Sequence, residues 1–316
     1  MLEIQNLNKS FGPFKALNNL SLSVNDGELF GFVGANGAGK TTTMKICVGL
    51  EKADNGSIMI DGIQALDSKG RSSLRGKVGY VPDFFGVYAD LTASEYLHFF
   101  AGSYNIWGKE ADTLTDNLLE LVNLSDKANE QVDSLSRGMK QKLCVARALV
   151  QNPKILFLDE PASGLDPKAR HELKEILRNL SSMGKTIIIS SHILPELIEM
   201  CSSIGIINHG EMKFNGSIED ALALSTGGEF IEITFSGDPG RALSLIRECP
   251  FVTCADLTSK GIRLTASGSD AEYTALLKKL ITNDIPVATF SKNHENVEDI
   301  FLNIMEGGNA NAENNA

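Results

Sequence analysis

Residues 29–41 read LFGFVGANGAGKT, an apolar run that leads directly into a glycine-rich loop. The apolar part, 29–34, has no polar side chain, as expected of a strand buried on both faces of a sheet. Residues 34–41 match the pattern GxxxxGK[ST], and a helical stretch follows them. Glycine is needed in such a loop because backbone amides must turn inward around an anion, in conformations closed to most side chains. The segment therefore predicts a phosphate-binding loop between a buried strand and a helix.

The polar residues of this loop have separate expected roles. Lys40 is expected to neutralise the β- and γ-phosphates of a nucleotide, and Thr41 to offer its hydroxyl to Mg²⁺. Thr42 lies at the helix start, where we expect it to contact the α-phosphate. The other predicted nucleotide-binding residues of the loop are Gly34, Asn36, Gly37, Ala38 and Gly39. By itself the pattern indicates a P-loop nucleoside triphosphatase and nothing narrower.

A pair of carboxylates follows another buried strand. Residues 155–158 read ILFL, and Asp159 and Glu160 come next. A carboxylate at the end of a buried parallel strand, beside a phosphate loop, can hold Mg²⁺ through its water shell, and we expect this of Asp159. Glu160 would polarise the attacking water as a general base. Taken alone, such a pair fits a solvated turn as well as it fits a catalytic site. Its combination with the upstream loop favours the catalytic interpretation.

Strand and helix patterns alternate along most of the chain. The predicted strands are residues 2–7, 20–24, 29–34, 155–159, 186–190 and 204–207. Helical spacing fills residues 91–150. This order predicts an α/β fold: a P-loop NTPase (RecA-like) core of mainly parallel strands covered by helices, with an antiparallel β subdomain and a helical insert. We assign residues 1–222 to this domain and about 89–151 to the insert.

The rest of the chain has the pattern of a second, smaller domain. Small and polar residues at 223–228 predict a boundary. Beyond it, strand, helix, two strands, helix and strand are predicted at residues 230–235, 241–247, 252–257, 262–265, 271–281 and 287–291. This βαββαβ order predicts a small ferredoxin-like α+β domain over 223–306, with a last amphipathic helix at about 297–305. Residues 307–316 are predicted to be disordered.

Composition and charge exclude several classes of protein. Of the 316 residues 42% are hydrophobic, and 40 acidic side chains face 29 basic ones, a net charge of −11. This balance argues against a general attraction to nucleic acid or anionic lipid. No run of about 18 apolar residues and no basic-then-apolar start occurs, so neither a spanning helix nor a secretory signal is predicted. The five cysteines are far apart, and we expect reduced, buried thiols of a cytosolic protein.

Five further segments occur in a fixed order. They are Phe11 before a Gly-Pro turn, VGYVPD at 78–83, LSRGMKQKL at 135–143, DEPASGLD at 159–166, and Ser191-His192 after an apolar strand. Together they resemble the motifs of ABC ATPases: the adenine-stacking aromatic, the Q-loop, the signature motif usually written LSGGQ, the segment ending in the D-loop, and the switch histidine. The resemblance covers about residues 1–217. For Phe11, a core aromatic is the plain alternative.

The resemblance implies that ATP is held between two chains. Ser136 and Gly138 would contact the γ-phosphate of ATP bound by the other subunit, which suits Ser136 as the N-cap of the helix through Val150. His192 would hydrogen-bond the γ-phosphate and the attacking water. Asp166 would cross the dimer interface to help align the opposite site. The plain alternatives are a helix cap, a structural histidine and an ordinary turn.

The sequence departs from the family pattern in the Q-loop and in the signature. The Q-loop position holds Asp83 rather than glutamine, a shorter and charged oxygen ligand for Mg²⁺ or water, and we expect a catalytic and metal-binding role for it. Arg137 and Met139 replace the glycine and glutamine of the signature. Ser136 and Gly138, the phosphate-facing pair, remain.

The resemblance also implies partners. These are a second copy or a homologous ATPase subunit and a separately encoded transmembrane permease subunit, with no nucleic acid. Residues 84–107 hold the only tryptophan and many aromatic residues. In the family this region forms a groove for a short cytoplasmic helix of the membrane subunit. The candidates for that contact are Phe84, Phe85 and Tyr88, whereas helical spacing places Tyr96, Phe99 and Phe100 in the core.

We therefore predict an ATP-binding and ATP-hydrolysing subunit of an ABC transporter, at the cytoplasmic face of the cell membrane. Dimer closure on Mg²⁺-ATP and hydrolysis would drive export. The carboxy-terminal unit resembles an extension of exporter-type subunits, with a regulatory or dimer-supporting role. A soluble ABC ATPase acting on nucleic acid or ribosomes is the main alternative, disfavoured by the acidic balance. A nucleotide-gated scaffold with little turnover is a third possibility, motivated by Asp83 and the altered signature.

Overall fold

The computed structural model describes residues 1–83, 86, 88, 90–223, 229–237, 239–258, 261–266 and 268–294. The chain forms two compact units, the first over Met1–Ile218 and the second beginning at Glu219. Several predictions lie wholly or mostly outside the described residues: the boundary at 223–228, the contacts of Phe84 and Phe85, the helix at 297–305 and the disordered tail at 307–316. The domain bounds stay a prediction.

The first unit contains ten strands and eight named helices among its described residues, the last helix crossing into the second unit. Its strands are β1 (Leu2–Phe11), β2 (Phe14–Val24), β3 (Leu29–Val33), β4 (Asn55–Ile60), β5 (Ile63–Gln64), β6 (Val78–Val81), β7 (Ile155–Leu158), β8 (Thr186–Ser191), β9 (Ser203–Asn208) and β10 (Glu211–Ser217). Its helices are α1 (Lys40–Cys47), α2 (Ser68–Ser73), α3 (Ala93–Ser103), α4 (Lys109–Leu121), α5 (Arg137–Leu149), α6 (Pro167–Ser182), α7 (Leu194–Ile198) and α8 (Ile218–Ala223).

A six-stranded sheet in the order β10-β9-β3-β8-β7-β6 forms the centre of this unit. Its strands are parallel except the edge strand β10, which pairs antiparallel with β9. Every residue of β3, β7 and β8 is buried, as expected where helices or a second sheet cover both faces of a parallel sheet. The prediction of a mainly parallel α/β core is confirmed.

The register of the three central strands aligns their carboxyl ends. Val33 at the end of β3 pairs with Ser191 of β8, and Leu158 at the end of β7 pairs with Ile189 of β8. The chain leaves all three strands at one edge of the sheet, where loops carry the functional groups of such folds. The glycine-rich loop, the acidic pair and the switch histidine are therefore neighbours.

A second, four-stranded sheet in the order β2-β1-β4-β5 packs on the core. The apolar alternation at residues 2–7 and 20–24 predicted β1 and β2, which pair antiparallel. β4 and β5 were not predicted, because β4 begins with Asn-Gly and β5 has only two residues, too few to show an alternation. β6 and β10 were also absent from the predicted strands. The predicted antiparallel β subdomain is present.

The helical insert contains α3, α4 and α5, as the helical spacing predicted. Thr92 caps α3 in a reciprocal arrangement with Glu95, and Tyr96 is fully buried. The prediction that Phe99 lies in the core is wrong, because its side chain is 50% exposed. Its ring meets that of Tyr88 edge-on, with centroids 4.9 Å apart. Tyr88 is itself exposed, and helical spacing could not predict this contact.

The second unit has its own sheet and core. Its elements are β11 (Glu229–Phe235), α9 (Gly240–Arg247), β12 (Val252–Thr258), β13 (Gly261–Ala266), α10 (Asp270–Thr282) and β14 (Val287–His294). All neighbours in the sheet, in the order β12-β13-β11-β14, are antiparallel. The predicted order of elements is confirmed, and the likeness to a ferredoxin-like fold stays a prediction.

Two further expectations concern thiols and membrane segments. Cys47, Cys144 and Cys249 are buried as predicted, but Cys254 is exposed because it lies on an outward-facing position of a strand. All five thiols are free. Within the part of the chain that the structure describes, no helix combines the length and the apolar character that crossing a bilayer requires.

Candidate active site

A cleft of about 240 Å³ opens at the carboxyl edge of the central sheet. Two exposed aromatic residues, a glycine-rich loop and two acidic residues form its walls. The lining residues are Phe11, Phe14, Ala16, Asn36, Gly37, Gly39, Lys40, Thr41, Thr42, Asp83 and Glu160. All of these except Phe14 and Ala16 were predicted from sequence, and the structure brings them together although they come from four separate parts of the chain.

The loop between β3 and α1 requires glycine at defined positions. Gly37 and Gly39 have φ angles of 83° and 114°, in the left-handed region that other residues avoid. A side chain at Gly34 would place its Cβ 2.4 Å from the carbonyl oxygen of Ile207. The loop is thus packed against β9 on one side while Gly37 and Gly39 line the cleft, an arrangement that suits a phosphate group. Ala38 is buried within the loop.

Lys40 lies inside this loop, with only 5% of its surface exposed. Its Nζ donates hydrogen bonds to the carbonyl oxygens of Gly34 at 2.6 Å and Ala35 at 3.2 Å. The same Nζ lies 3.3 Å from Oε1 of Glu160. These contacts fix the Nζ of Lys40 inside the loop, where an ammonium group can attract an anion.

Asp159 follows β7 and is 2% exposed. Its Oδ1 accepts hydrogen bonds from the hydroxyls of Thr41 at 3.0 Å and Ser190 at 2.8 Å. Its Oδ2 lies 3.5 Å from the hydroxyl of Tyr80. Burial and the negative charge of Asp159 together raise the pKa of Tyr80, so this phenol stays neutral and donates. A carboxylate beside a threonine hydroxyl is a suitable set of hard oxygen ligands for Mg²⁺.

Glu160 is held in an unusual backbone conformation, with a φ angle of 48°. Its amide donates to Ser190 Oγ at 2.9 Å, which helps to hold this geometry. Its Oε2 lies 2.9 Å from Nδ1 of His192. Its Oε1 is within ion-pair distance of Lys40 but buried without a well-aligned hydrogen bond. A carboxylate beside a phosphate loop, with one buried oxygen that accepts no hydrogen bond, is suited to accept a proton from water.

Ser190 and Tyr80 support this site but were not predicted from sequence. Ser190 hydrogen-bonds both the side chain of Asp159 and the backbone of Glu160, as described above. The available signal was its position, since it is a fully buried hydroxyl at the end of an otherwise apolar strand. Such a hydroxyl needs a partner, and the strand register offers the acidic pair.

Phe11 and Asp83 line the cleft from two other directions. Phe11 ends β1 and is 46% exposed, which agrees with an edge position and not with a core aromatic. The Nζ of Lys9 lies 4.8 Å from the centre of its ring. Asp83 is exposed, and its charge contributes to the raised pKa of Tyr80. Phe14, which was not predicted, is exposed beside Phe11.

The remaining predicted residues lie outside the cleft, at the adjoining N-termini of α5 and α6. Ser136 caps α5, accepting from the amide of Met139 at 3.3 Å. Asp166 caps α6, its Oδ1 accepting from the amides of Lys168 and Ala169 at 3.0 Å each. The structure therefore does not bring Ser136, Gly138 or Asp166 together with Lys40 in one chain.

Two glycines allow these helix starts to approach each other. A Cβ at Gly138 would lie 2.6 Å from the Cβ of Ala169. Gly164 in the D-loop has a φ angle of 67°, and a Cβ there would lie 2.6 Å from Nη1 of Arg137. The arginine that departs from the signature pattern thus packs on the D-loop of its own chain.

Some known proteins are similar to this chain over most of its length. Residues 17–163 match the family model described as ABC transporter. The chain is 33% identical over 307 residues to the linearmycin resistance ATP-binding protein LnrL of Bacillus subtilis, covering 96% of this chain and 98% of that protein. The chain belongs to the ABC transporter family. The Nod factor export ATP-binding protein I of Burkholderia lata is 40% identical to this ABC subunit over 238 residues, 75% of the chain and 77% of that protein.

Solved structures agree with this assignment. An ATP-binding subunit of an ABC transporter matches with a TM-score of 0.63 at 31% identity, over 71% of this chain and 92% of that one. A dimeric ATP-binding cassette in a post-hydrolysis state, bound to ADP and phosphate, matches with a TM-score of 0.62 at 28% identity, over 69% and 99% of the two chains. The predictions of an ABC ATPase fold and of an ATP-hydrolysing transporter subunit are confirmed.

Replacing Gly138 with alanine tests the close approach of α5 and α6 in this ABC subunit. Because a Cβ there would overlap Ala169, we expect Gly138→Ala to lower the free energy of unfolding by about 1–3 kcal/mol. Urea denaturation measures this. The matched control is Gly237→Ala, where the nearest atom to the added Cβ lies 3.7 Å away. Adding Ala169→Gly to the variant should recover part of the loss, and equal stability of Gly138→Ala and the unchanged protein would contradict this packing.

Proposed function

We propose that this ABC subunit binds Mg²⁺-ATP in the cleft and hydrolyses it with Glu160 as the general base. The buried Oε1 of Glu160, 3.3 Å from the ammonium of Lys40, is the observation that carries the proposal. This position supports Glu160 as the proton acceptor, because we expect the γ-phosphate to meet the loop there. Phe11 would stack on the adenine, and the loop amides with Thr42 would surround the phosphates.

The polar side chains of the cleft have distinct proposed roles. Lys40 neutralises charge on the β- and γ-phosphates. His192, hydrogen-bonded to Glu160, holds that carboxylate in place and offers its other ring nitrogen to the γ-phosphate and the attacking water. Thr41 and Asp159 would hold Mg²⁺, and Asp83, which also lines the cleft, would contribute an oxygen. When bound, Mg²⁺ would neutralise charge on the phosphate oxygens.

A second subunit is proposed to complete each site. Ser136 and Gly138 are at the N-terminus of α5, where backbone amides and the helix dipole favour an anion. They lie outside the cleft of their own chain, so a nucleotide in that cleft would not meet them within one subunit. Two copies, or this chain and a homologous subunit, would face each other head to tail with ATP between them, and Asp166 would lie at that interface. The solved dimeric cassette supports such an assembly.

Glu160→Gln and Lys40→Ala separate hydrolysis from binding. The glutamine cannot take a proton, so we expect phosphate release to fall at least about 100-fold while ATP binding and ATP-dependent dimerisation remain. Lys40→Ala removes the central cation and should lower ATP affinity by more than about tenfold. Phosphate release, equilibrium ATP binding and light scattering measure these effects. A Glu160→Gln variant that hydrolyses at the normal rate would reject the assignment, and the scaffold interpretation would be rejected by robust turnover of the unchanged protein.

A groove on the same unit is the proposed docking site for the transmembrane subunit. Residues of α1, α2, β6, α3 and α5 and their adjoining loops line a depression of about 850 Å³. It contains Phe100, Tyr104 and three arginines, Arg71, Arg75 and Arg147. This overlaps the aromatic region expected to contact a cytoplasmic helix. Tyr88, 53% exposed on the neighbouring segment, stays a candidate for that contact.

The positive charge of the groove favours a partner with an acidic side chain. None of its lining residues is acidic, although the whole chain has a net charge of −11. Among the described residues, none of the three arginines forms an ion pair. Arg71 donates to the carbonyl oxygen of Leu66 at 2.7 Å, and the guanidinium of Arg147 lies 5.4 Å from the ring centre of Phe100. A short cytoplasmic helix with an aromatic or apolar face and at least one carboxylate fits this surface.

We infer the membrane location from that proposed partner and the export direction from the names of relatives. Relatives of this chain are named for resistance and for export, which supports an exporter at the cytoplasmic face of the membrane. The cargo is a property of the transmembrane subunit and does not follow from this chain.

Reversing one charge in the groove tests the docking site. Arg75→Glu would place a carboxylate in the groove, where it would repel the carboxylate proposed for the partner helix. We therefore expect the fraction of the subunit that sediments with membranes of the source cell to fall roughly tenfold. Lys69→Glu is the matched control, because Lys69 is exposed on α2 and does not line the groove. Both variants should keep the ATPase activity of the isolated subunit. Equal sedimentation of the two variants would contradict docking at this groove.

A further inference from the structure

Arg170 connects two functional segments of the ATPase unit. Its Nη2 donates to the carbonyl oxygen of Leu165 in the D-loop at 3.3 Å. Its Nη1 lies 2.7 Å from Oε1 of Glu196. Glu196 belongs to α7, which begins two residues after His192. One guanidinium therefore joins the D-loop to the helix that follows the switch histidine.

The contact between Arg170 and Glu196 lies beside the candidate active site. The side chain of Glu196 is 17% exposed and that of Arg170 is 42% exposed, so the ion pair is shielded from solvent mainly on the Glu196 side. The Nε of Arg170 is buried and has no hydrogen-bond partner in the described structure. Arg170 and Glu196 line a small cavity of about 130 Å³ together with Glu160, Ser163 and His192. The link thus adjoins the proposed general base.

We propose that Arg170 is a positioning residue that couples closure of the dimer to hydrolysis. This inference rests on the proposed function, in which the D-loop faces the second subunit while Glu160 and His192 act on the nucleotide of their own chain. A shift of the D-loop on closure moves the carbonyl of Leu165. Because the same planar guanidinium holds Glu196, the shift is passed to α7 and to His192. Arg170 itself does not touch the reacting atoms.

Arginine is suited to this role and lysine is not. A guanidinium presents several donors in one rigid plane and can hold a carbonyl and a carboxylate at a fixed separation. A lysine ammonium is a single point charge on a flexible stem, so it would contact the carboxylate of Glu196 without holding the carbonyl of Leu165 at a fixed distance. Arg170→Lys should therefore keep the ion pair with Glu196 but lose the connection to the D-loop.

The same pair of helices provides a matched control. Lys174, one turn further along α6, forms an ion pair with Glu199 at 2.6 Å. Glu199 caps the end of α7. This pair also joins α6 to α7, but neither residue lines the small cavity beside Glu160. Lys174→Ala therefore removes an ion pair between the two elements without removing the proposed coupling.

The experiment compares steady-state ATP hydrolysis by full-length variants. We expect Arg170→Ala and Arg170→Lys each to lower kcat roughly 10- to 100-fold, with KM for ATP within about twofold. Glu196→Ala should give a similar loss, and Glu196→Gln a smaller one, since its amide oxygen still accepts from Arg170. The double variant Arg170→Ala/Glu196→Ala should lose no more than either single variant, because both act through one link. Lys174→Ala should change kcat less than about twofold.

ATP-dependent dimerisation distinguishes positioning from general damage. In a Glu160→Gln background, Arg170→Ala should still dimerise with ATP, and its thermal unfolding should match that of Lys174→Ala. If Arg170→Ala does not fold, Arg170→Lys and Glu196→Gln carry the test. An unchanged kcat in the Arg170 variants, strictly multiplicative losses in the double variant, or an equal loss in Lys174→Ala would overturn the coupling. The proposed function fails separately, if Glu160→Gln itself keeps normal hydrolysis.

Discussion

The burial of β3, β7 and β8 on both faces determines where this protein can place polar chemistry. Strands covered on both sides accept mainly apolar side chains along their length, so charged groups collect where the strands end. The parallel register brings those ends to one edge, and the phosphate loop, the acidic pair and the switch histidine follow directly. Buried Ser190 then ties the β7 and β8 ends together through Asp159 and the backbone of Glu160. The geometry of the cleft is thus a consequence of strand pairing.

Much of this could be predicted from sequence because the signals are local. The apolar run before Gly34 and the carboxylates after residue 158 mark strand ends, and parallel pairing brings these ends to the same edge of the sheet. What escaped prediction depends on contacts between distant segments. The exposure of Phe99 is set by packing in the insert, and Phe14 enters the cleft because a two-residue turn places it beside Phe11. Tyr80 was missed because nothing in its own segment shows that Asp159 lies opposite. No periodicity carries such information.

The signature residues show a different kind of limit. Ser136 was predicted to cap a helix and does so, yet a cap alone gives no reason for it to meet a nucleotide. It lies outside the cleft of its own chain, and the packing of Gly138 on Ala169 holds the start of α5 there. The N-terminus of α5 attracts anions but faces no anion site within its own chain. A nucleotide phosphate bound by a second subunit would explain its position. The link through Arg170 would then pass the D-loop shift that accompanies dimer closure to His192 and Glu160.

Whether ATP is held between two subunits can be seen in a structure of the Glu160→Gln protein with ATP and Mg²⁺. The quantity to measure is the distance from Ser136 Oγ of one copy to the γ-phosphate oxygens of the nucleotide bound by Lys40 of the other. We expect a hydrogen bond, at about 3 Å. Nucleotide bound to single chains, with every Ser136 remote from any neighbour's γ-phosphate, would contradict it.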